Sequence, residues 1–190
     1  LVSHSFGGAY IRSFASQYPN EIAGLIFIDP VDFTKKAGMG ELPYLEMGFT
    51  KQQIDSVFGK PNEIFLEKLY AEMPKYYVEE VKISVQLTQT EFNECDRNPL
   101  PDVPVYFIMA GGYSESGGDH PPLICDFEKL FRVSENLKMK RYLQLLYPLK
   151  YGKLFYCSQS GHFVQTDDPD LVISSIKLAL ADYNKIQREK

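Results

Sequence analysis

Tryptophan is absent from this chain of 190 residues, and cysteine is scarce. The three cysteines, Cys95, Cys125 and Cys157, are widely spaced and show neither a metal-ligand pattern nor a disulfide framework. The longest uncharged apolar runs, such as 22–28 and 103–110, fall far short of the roughly 20 residues that a membrane-spanning helix needs. We therefore expect free thiols, no metal and no membrane span.

Positively charged residues are fewer than negatively charged ones. The chain has 20 lysines and arginines and 25 aspartates and glutamates, which gives a formal net charge of −5. A basic face that neutralises phosphates is not expected, which argues against a nucleic-acid partner. Free thiols favour a reducing compartment, so we expect a cytoplasmic protein. We also expect the true N-terminus to be missing from this sequence, which leaves a signal peptide open.

The most informative residues are the first eight, LVSHSFGG. A short apolar start leads into the pattern small-x-Ser-x-small, and helical spacing follows at once, which is the context of a nucleophile elbow. Such a turn holds its serine in strained backbone geometry between a strand and a helix, so bulky residues at Ser3 or Gly7 would clash. Ser5 is therefore the candidate nucleophile, at a helix N-terminus where the helix dipole favours developing negative charge.

Continuous apolar runs alternate with helical patterns along the chain. Such runs indicate strands that are buried on both faces, as in a parallel α/β sheet. Beyond the elbow strand, we predict strands over 22–28, 105–110 and 153–157. We predict helices over 6–17, over 123–147 with a break near Ser134, and from about 167 onwards. This order predicts an α/β fold with a partial doubly wound, mainly parallel sheet.

The segment 33–98 differs from the rest because it mixes charged and aromatic residues without a strand pattern. We predict three helices there, over 50–58, 61–73 and 74–94. The sheet domain would then consist of 1–32 and 99–190, with 33–98 inserted as a helical cap. Apolar side chains of the cap could line an acyl pocket or simply pack the cap onto the core, and packing is the more frequent outcome: Tyr44, Leu45, Met47, Phe49, Phe58, Phe65 and Tyr70.

Three stretches together resemble the α/β-hydrolase fold family, and in particular its lipase- and esterase-like serine hydrolases. They are the elbow Leu1–Gly8, the helix end and strand ASQYPNEIAGLIFIDP (15–30), and the loop and helix start SGHFVQTDDPDLV (160–172). The resemblance implies hydrolysis of a carboxylic ester or related acyl bond in a small-molecule substrate, through a Ser-His-Asp triad and an acyl-enzyme. It implies no cofactor.

His162 is the candidate general base, because it lies in a loop after a predicted strand and before the last helix. For His4 we expect packing or local hydrogen bonding, with its side chain pointing away from the cleft, and we expect His120 to be a loop or pocket residue. Stabilising an oxyanion requires two backbone N–H groups, and that of Phe6, directly after the nucleophile, can be one. The resemblance implies that the second donor comes from residues before Leu1.

The acid of the triad has two main candidates. Asp29 follows the strand after the elbow, at the carboxyl edge of the sheet where ligands bind. Asp119 lies in the loop after the next strand, which is the more usual place in the family, although nine residues beyond that strand. Asp29 could instead be a turn residue before a proline. Asp32 and Glu115 are less favoured alternatives, and we rank Asp29 first.

Two other outcomes stay open. The family builds several strands before its elbow, and this chain begins inside the elbow strand, so we expect it to be a fragment whose sheet has an open edge. Such an edge invites self-association. The chain could then be an inactive fragment, or a non-catalytic binding protein of the same fold.

Overall fold

The computed structural model of the protein describes residues 1–58, 71, 73–95, 98–114 and 125–189. The strands in these residues are β1 (Val2–His4), β2 (Leu25–Ile28), β3 (Val105–Ala110) and β4 (Gly152–Cys157). The α-helices are α1 (Gly7–Gln17), α2 (Leu42–Glu46), α3 (Lys51–Phe58), α4 (Lys75–Gln89), α5 (Phe127–Leu146), α6 (Val164–Asp167) and α7 (Pro169–Glu189). A 3-10 helix covers Pro19–Glu21.

The four strands form one sheet in the order β1-β2-β3-β4, and every neighbouring pair is parallel. Ile26 lies opposite Val2 on one side and Tyr106 on the other, and Phe155 of β4 lies opposite Ile108. The predicted α/β class with a parallel sheet is therefore confirmed. β1 is an edge of the described sheet, and the predicted self-association at such an edge stays a prediction.

Both faces of the sheet are covered, which explains the continuous apolar runs in the sequence. Alternate side chains of a strand point to opposite faces. Phe27 and Phe107 pack on one face with residues of α1 and α5, whereas Ile26 and Ile108 pack on the other face with residues of α7. All six residues of β3 are buried. A central parallel strand with helices on both faces has no solvent side, so its sequence does not alternate.

Three predicted elements differ from the structure. The helix predicted over 74–94 ends at Gln89. The strand predicted over 22–28 begins only at Leu25, because residues 22–24 form an irregular segment with a bend that follows the 3-10 helix at Pro19–Glu21. The helix with a predicted break near Ser134 is continuous as α5. The Ser134 hydroxyl donates to the Leu130 carbonyl at 2.8 Å within the helix, so the serine is accommodated without a break. No helix in the described ranges is both long and apolar enough to cross a bilayer.

The described part of 33–98 contains α2, α3 and α4 and no strand. Both ends of this segment contribute to the core beside the sheet, where Phe33, Phe92 and Cys95 are buried in the same cluster as Phe107. The helix predicted over 61–73 lies almost wholly outside the described residues. The division of the chain into a sheet domain and a cap stays a prediction.

Candidate active site

Ser5 lies in the turn between the end of β1 and the start of α1. Its φ of 55° is in the left-handed region that residues other than glycine seldom adopt. Three backbone hydrogen bonds fix this conformation: the Ser5 N–H donates to Ile28, and the Ser5 carbonyl accepts from Gly8 and Val31, each at 3.0 Å. Strain of about 1–3 kcal/mol persists only where the surroundings over-determine it, and these contacts do so.

The turn is tight enough to require small residues on either side of Ser5. A Cβ at Gly7 would lie 3.2 Å from the Cβ of Ser3. A Cβ at Gly8 would lie 2.6 Å from the Cβ of Pro30, which belongs to a rigid ring. The small residues therefore allow α1 to start directly beside the turn that follows β2.

Asp29 lies immediately after β2 and is almost completely buried. Its φ of 34° also falls in the left-handed region. The backbone N–H of Asp29 donates to the Ile108 carbonyl at 2.7 Å, and its Oδ1 accepts from the Ala110 N–H at 3.3 Å. The carboxylate is thus anchored to the carboxyl end of the neighbouring strand β3.

His162 lies between β4 and the short helix α6, and its ring joins Ser5 to Asp29. Its Nδ1 is 2.7 Å from Asp29 Oδ2, and its Nε2 is 2.9 Å from Ser5 Oγ. The preceding residue, Gly161, donates its N–H to the Asp167 carboxylate at 2.8 Å, which ties the loop to α6. The structure therefore brings Ser5, His162 and Asp29 into one hydrogen-bonded series.

The chemistry of the three groups fixes the direction of these hydrogen bonds. An ionised carboxylate can only accept, so His162 donates its Nδ1–H to Asp29. In a neutral imidazole the other nitrogen then has a lone pair, and Nε2 accepts from the Ser5 hydroxyl. A serine hydroxyl that donates to such an imidazole can lose its proton as it attacks an electrophile.

A second charged pair, Lys138 and Glu135 of α5, lies behind Asp29. Lys138 Nζ is 3.3 Å from Asp29 Oδ1 and 3.1 Å from Glu135 Oε1. Burial alone would raise the pKa of Asp29, but the hydrogen bond with His162 and the charge of Lys138 outweigh burial and bring the pKa below its ordinary value. Asp29 therefore stays ionised at neutral pH.

At Glu135, unlike at Asp29, burial outweighs the other effects on the pKa. It raises the pKa of the Glu135 carboxyl above its ordinary value, and Lys138 only partly offsets the effect. Burial would also lower the pKa of Lys138, but the charges of Asp29 and Glu135 raise it, so the ammonium is retained. The Lys138 ammonium, itself partly buried, thus lies between the buried carboxylate of Asp29 and the partly buried carboxyl of Glu135.

Asp32, the other acid candidate among the described residues, does not join the series. Asp32 pairs with Arg141 and accepts from the Thr34 hydroxyl, so its carboxylate belongs to a separate ion pair. Asp119 and Glu115, as well as His120, lie outside the described residues. Within the described ranges, no group of three His, Cys, Asp or Glu side chains is arranged as a metal site.

An open cleft with two lobes surrounds Ser5. The smaller lobe has a volume of about 220 Å³ and the larger about 420 Å³, and Ser5, Phe6, Tyr77, Glu80 and His162 line both. Phe6 follows Ser5 and precedes the first residue of α1, so its N–H is among the donors that a helix start leaves without an acceptor in the helix.

Among the structural matches found by comparison with known proteins is a distant one. A crystal structure of a probable hydrolytic enzyme from Pseudomonas aeruginosa PAO1 aligns at 13% sequence identity with a TM-score of 0.44. The alignment covers 94% of this chain and 62% of that one, so this chain spans less than two thirds of that enzyme's length. No family model and no curated protein matches the chain. Function must therefore be inferred from the side chains around Ser5.

The position of His4 differs from the expectation. Its side chain lines the larger lobe instead of pointing away from the cleft. The His4 ring is 4.5 Å from that of His162, measured between centroids, and its Nε2–H donates to the His162 carbonyl at 2.8 Å. His4 thus supports the loop that carries His162, a contact between chain segments that sequence spacing does not show.

Within the predicted cap, the residues that line the cleft also differ from those considered. α4 contributes Tyr77, Glu80, Val81 and Ser84. Tyr44 instead lines a separate cavity of about 280 Å³ beside α5. Phe65, Tyr70 and the side chain of Phe58 lie outside the described residues. The sequence predicted α4 from its helical spacing alone. That spacing did not indicate which face of the helix lines the cleft beside Ser5.

Proposed function

We propose that this protein is a serine hydrolase that cleaves carboxylic esters of small or medium-sized acids without a cofactor. The observation that carries the proposal is the pair of hydrogen bonds at His162, to Ser5 Oγ at 2.9 Å and to Asp29 Oδ2 at 2.7 Å. This is the arrangement that activates a serine for acyl transfer. The cleft volumes of about 220 and 420 Å³ suit a substrate of modest size.

In the first half of the reaction, Ser5 Oγ attacks the carbonyl carbon of the ester while His162 Nε2 takes its proton. The carbonyl oxygen becomes negatively charged, and the Phe6 N–H and the N-terminal end of α1 stabilise that charge. The intermediate then collapses. The bond to the alcohol oxygen breaks, His162 returns the proton to the leaving alcohol, and the acyl group stays on Ser5.

In the second half, a water molecule attacks the acyl carbon, and His162 takes one of its protons. Collapse of this intermediate releases the carboxylic acid and returns the proton to Ser5 Oγ. Throughout both halves Asp29 keeps its negative charge, because its role is to hold the Nδ1–H tautomer of His162 and to stabilise the imidazolium. Lys138 and the Ala110 N–H hold the other carboxylate oxygen.

Hydrolysis of p-nitrophenyl esters of two- to six-carbon acids tests the proposal. We expect Ser5→Ala and His162→Ala each to lower kcat by several orders of magnitude. Ser13→Ala, on α1 but outside the cleft lining, is the matched control and should retain wild-type turnover. Turnover by Ser5→Ala at the wild-type rate would refute the proposal.

A further inference from the structure

We infer that the cleft beside Ser5 selects substrates that carry an ammonium group near the scissile acyl bond, and that Glu80 and aromatic side chains of the larger lobe bind this group. The inference rests on the proposed hydrolase function and adds a substrate class to it. Its basis is the composition of the cleft wall, where one carboxylate with no counter-ion among the described residues shares the lining with several aromatic rings.

The charge of Glu80 has no partner within the described part of the protein. Glu80 is half-buried, lines both lobes, and makes no hydrogen bond or ion pair with any described residue. Asp29 is the other carboxylate of the cleft, and Lys138 and His162 already hold it. No lysine or arginine from the described part of the chain lines either lobe. A bound cation would supply the missing counter-charge.

The neighbouring residue, Glu79, shows how a carboxylate on the same helix is otherwise satisfied. Glu79 is exposed and pairs with Lys82 at 2.9 Å, one turn further along α4. Glu80 is turned toward the cleft and lacks such a partner among the described residues. Partial burial weakens the screening by water, so the field of Glu80 acts on whatever occupies the lobe.

Aromatic side chains make up much of the rest of the larger lobe. Tyr10 from α1, Tyr77 from α4 and Phe163 from the His162 loop line it, and they are 61%, 45% and 59% exposed. Several exposed aromatic side chains that share one concave wall form the kind of contiguous apolar surface that marks a ligand-binding groove. The face of an aromatic ring attracts a cation, and rings combined with a carboxylate are a favourable environment for quaternary or primary ammonium groups.

This composition argues against the other substrate classes. An anionic substrate would meet the uncompensated charge of Glu80. A purely aliphatic acyl chain would desolvate Glu80 without providing a partner, which is costly for a charged group. An ammonium group avoids both penalties, and its methyl or methylene groups cover the aromatic rings.

A matched pair of esters tests the inference: choline butyrate and its uncharged isostere, 3,3-dimethylbutyl butyrate. The two differ in one charge at nearly equal shape. We expect the wild-type protein to show a kcat/KM at least about tenfold higher for the choline ester. Glu80→Gln should reduce this ratio of kcat/KM values to about one, mainly through KM for the choline ester.

The same helix offers matched controls. Glu79→Gln removes one negative charge outside the cleft lining, and Tyr76→Leu removes an exposed ring next to Tyr77. Both should keep the wild-type ratio, whereas Tyr77→Leu should lower it severalfold. A wild-type ratio near one, or a ratio that Glu79→Gln lowers as much as Glu80→Gln, would overturn the inference while leaving ester hydrolysis by Ser5 intact.

A binding measurement separates this inference from the proposed function. Tetramethylammonium is titrated into Ser5→Ala, with tert-butanol as the uncharged probe, and binding is followed by calorimetry. We expect saturable binding of tetramethylammonium that Glu80→Gln weakens by about tenfold and Glu79→Gln does not change. If no ester is hydrolysed but this binding is found, the hydrolase proposal fails and the cation site stands. Absence of binding would overturn the cation site.

Discussion

At the residue scale, the two carboxylate oxygens of Asp29 have different partners. Oδ2 faces the Nδ1 of His162, and Oδ1 faces Lys138 and the Ala110 N–H. This division holds the carboxylate in one orientation, and the orientation in turn fixes the His162 ring against Ser5. The positive φ of Asp29 is maintained by its backbone hydrogen bond to Ile108.

Replacing each candidate acid by asparagine distinguishes them. An amide in place of the Asp29 carboxylate could not hold the Nδ1–H tautomer of His162 in the same way, so Asp29→Asn should lower kcat by about 10⁴ at neutral pH. Asp119→Asn should leave kcat within about threefold of wild type. Steady-state ester hydrolysis at pH 7, with folding checked by circular dichroism, is the measurement. A large loss in Asp119→Asn with intact kcat in Asp29→Asn would show that our ranking of the acids is wrong.

The raised pKa of Glu135 leads to a prediction about how the stability of the protein depends on pH. Its pKa is raised above the ordinary value of 4.5, so between the two values the native state keeps a proton that the unfolded chain has lost. Stability of the wild-type protein should therefore fall, through this group, as the pH rises from about 4.5 toward the raised pKa. The contribution of Asp29 to stability depends on pH in the opposite direction. Because the pKa of Asp29 is lowered in the native state, its contribution is present at neutral pH and is lost only as the pH falls below the ordinary pKa of 3.8.

Urea unfolding of wild type and Glu135→Gln between pH 4 and 8 measures this effect. Glutamine does not titrate, so the free energy of unfolding of Glu135→Gln should rise relative to wild type across the window above pH 4.5. Glu128→Gln is the matched control, because it removes one exposed carboxylate from the same helix. A difference between Glu135→Gln and wild type that is constant with pH would contradict the raised pKa.

At the scale of elements, the start of α1 packs closely against the residues that follow β2. The start of α1 lies beside the turn after β2, and the same contact region contains both Ser5 and Asp29. Gly8 allows this approach, because its hydrogen faces the ring of Pro30. The spacing between α1 and this turn therefore also sets the spacing between Ser5 and Asp29.

Gly8→Ala should be destabilising for this reason. The new Cβ would lie 2.6 Å from Pro30 Cβ, and neither partner is the flexible end of a side chain, so α1 must move away. We expect a loss of about 1–3 kcal/mol in the free energy of unfolding, together with reduced kcat. Gly40→Ala is the control, because its Cβ would meet only the mobile end of Lys35 at 3.4 Å. Equal stability of the two variants in thermal unfolding would contradict the close approach.

At the scale of the whole molecule, the centre of the sheet was predictable because β2 and β3 are buried on both faces. Because every residue of β3 is buried, its sequence is a continuous apolar run, whereas an amphipathic strand or helix would also contain polar residues. Ser5, Asp29 and His162 were predictable as neighbours because each follows the end of a strand, and those ends share one edge of a parallel sheet. Their roles in catalysis stay a proposal.

The rest of the site depends on contacts between distant segments. Lys138 and Glu135 belong to a helix rich in charged residues, and their spacing in the sequence does not indicate that they lie beside Asp29. Glu79 and Glu80 are adjacent and identical in type, and only the packing of α4 decides which one faces the cleft. The contact of His4 with the His162 loop joins residues 158 positions apart.

We propose that His162 and Asp29 activate Ser5 as a nucleophile. The most direct test is labelling of the whole chain with a fluorophosphonate, which reacts only with an activated serine, followed by mass spectrometry of intact protein and peptides. We predict one adduct per chain, located on Ser5, that is absent from Ser5→Ala, from His162→Ala and from protein unfolded in guanidinium. No adduct on the folded wild-type chain, or an adduct that persists in Ser5→Ala, would contradict the account.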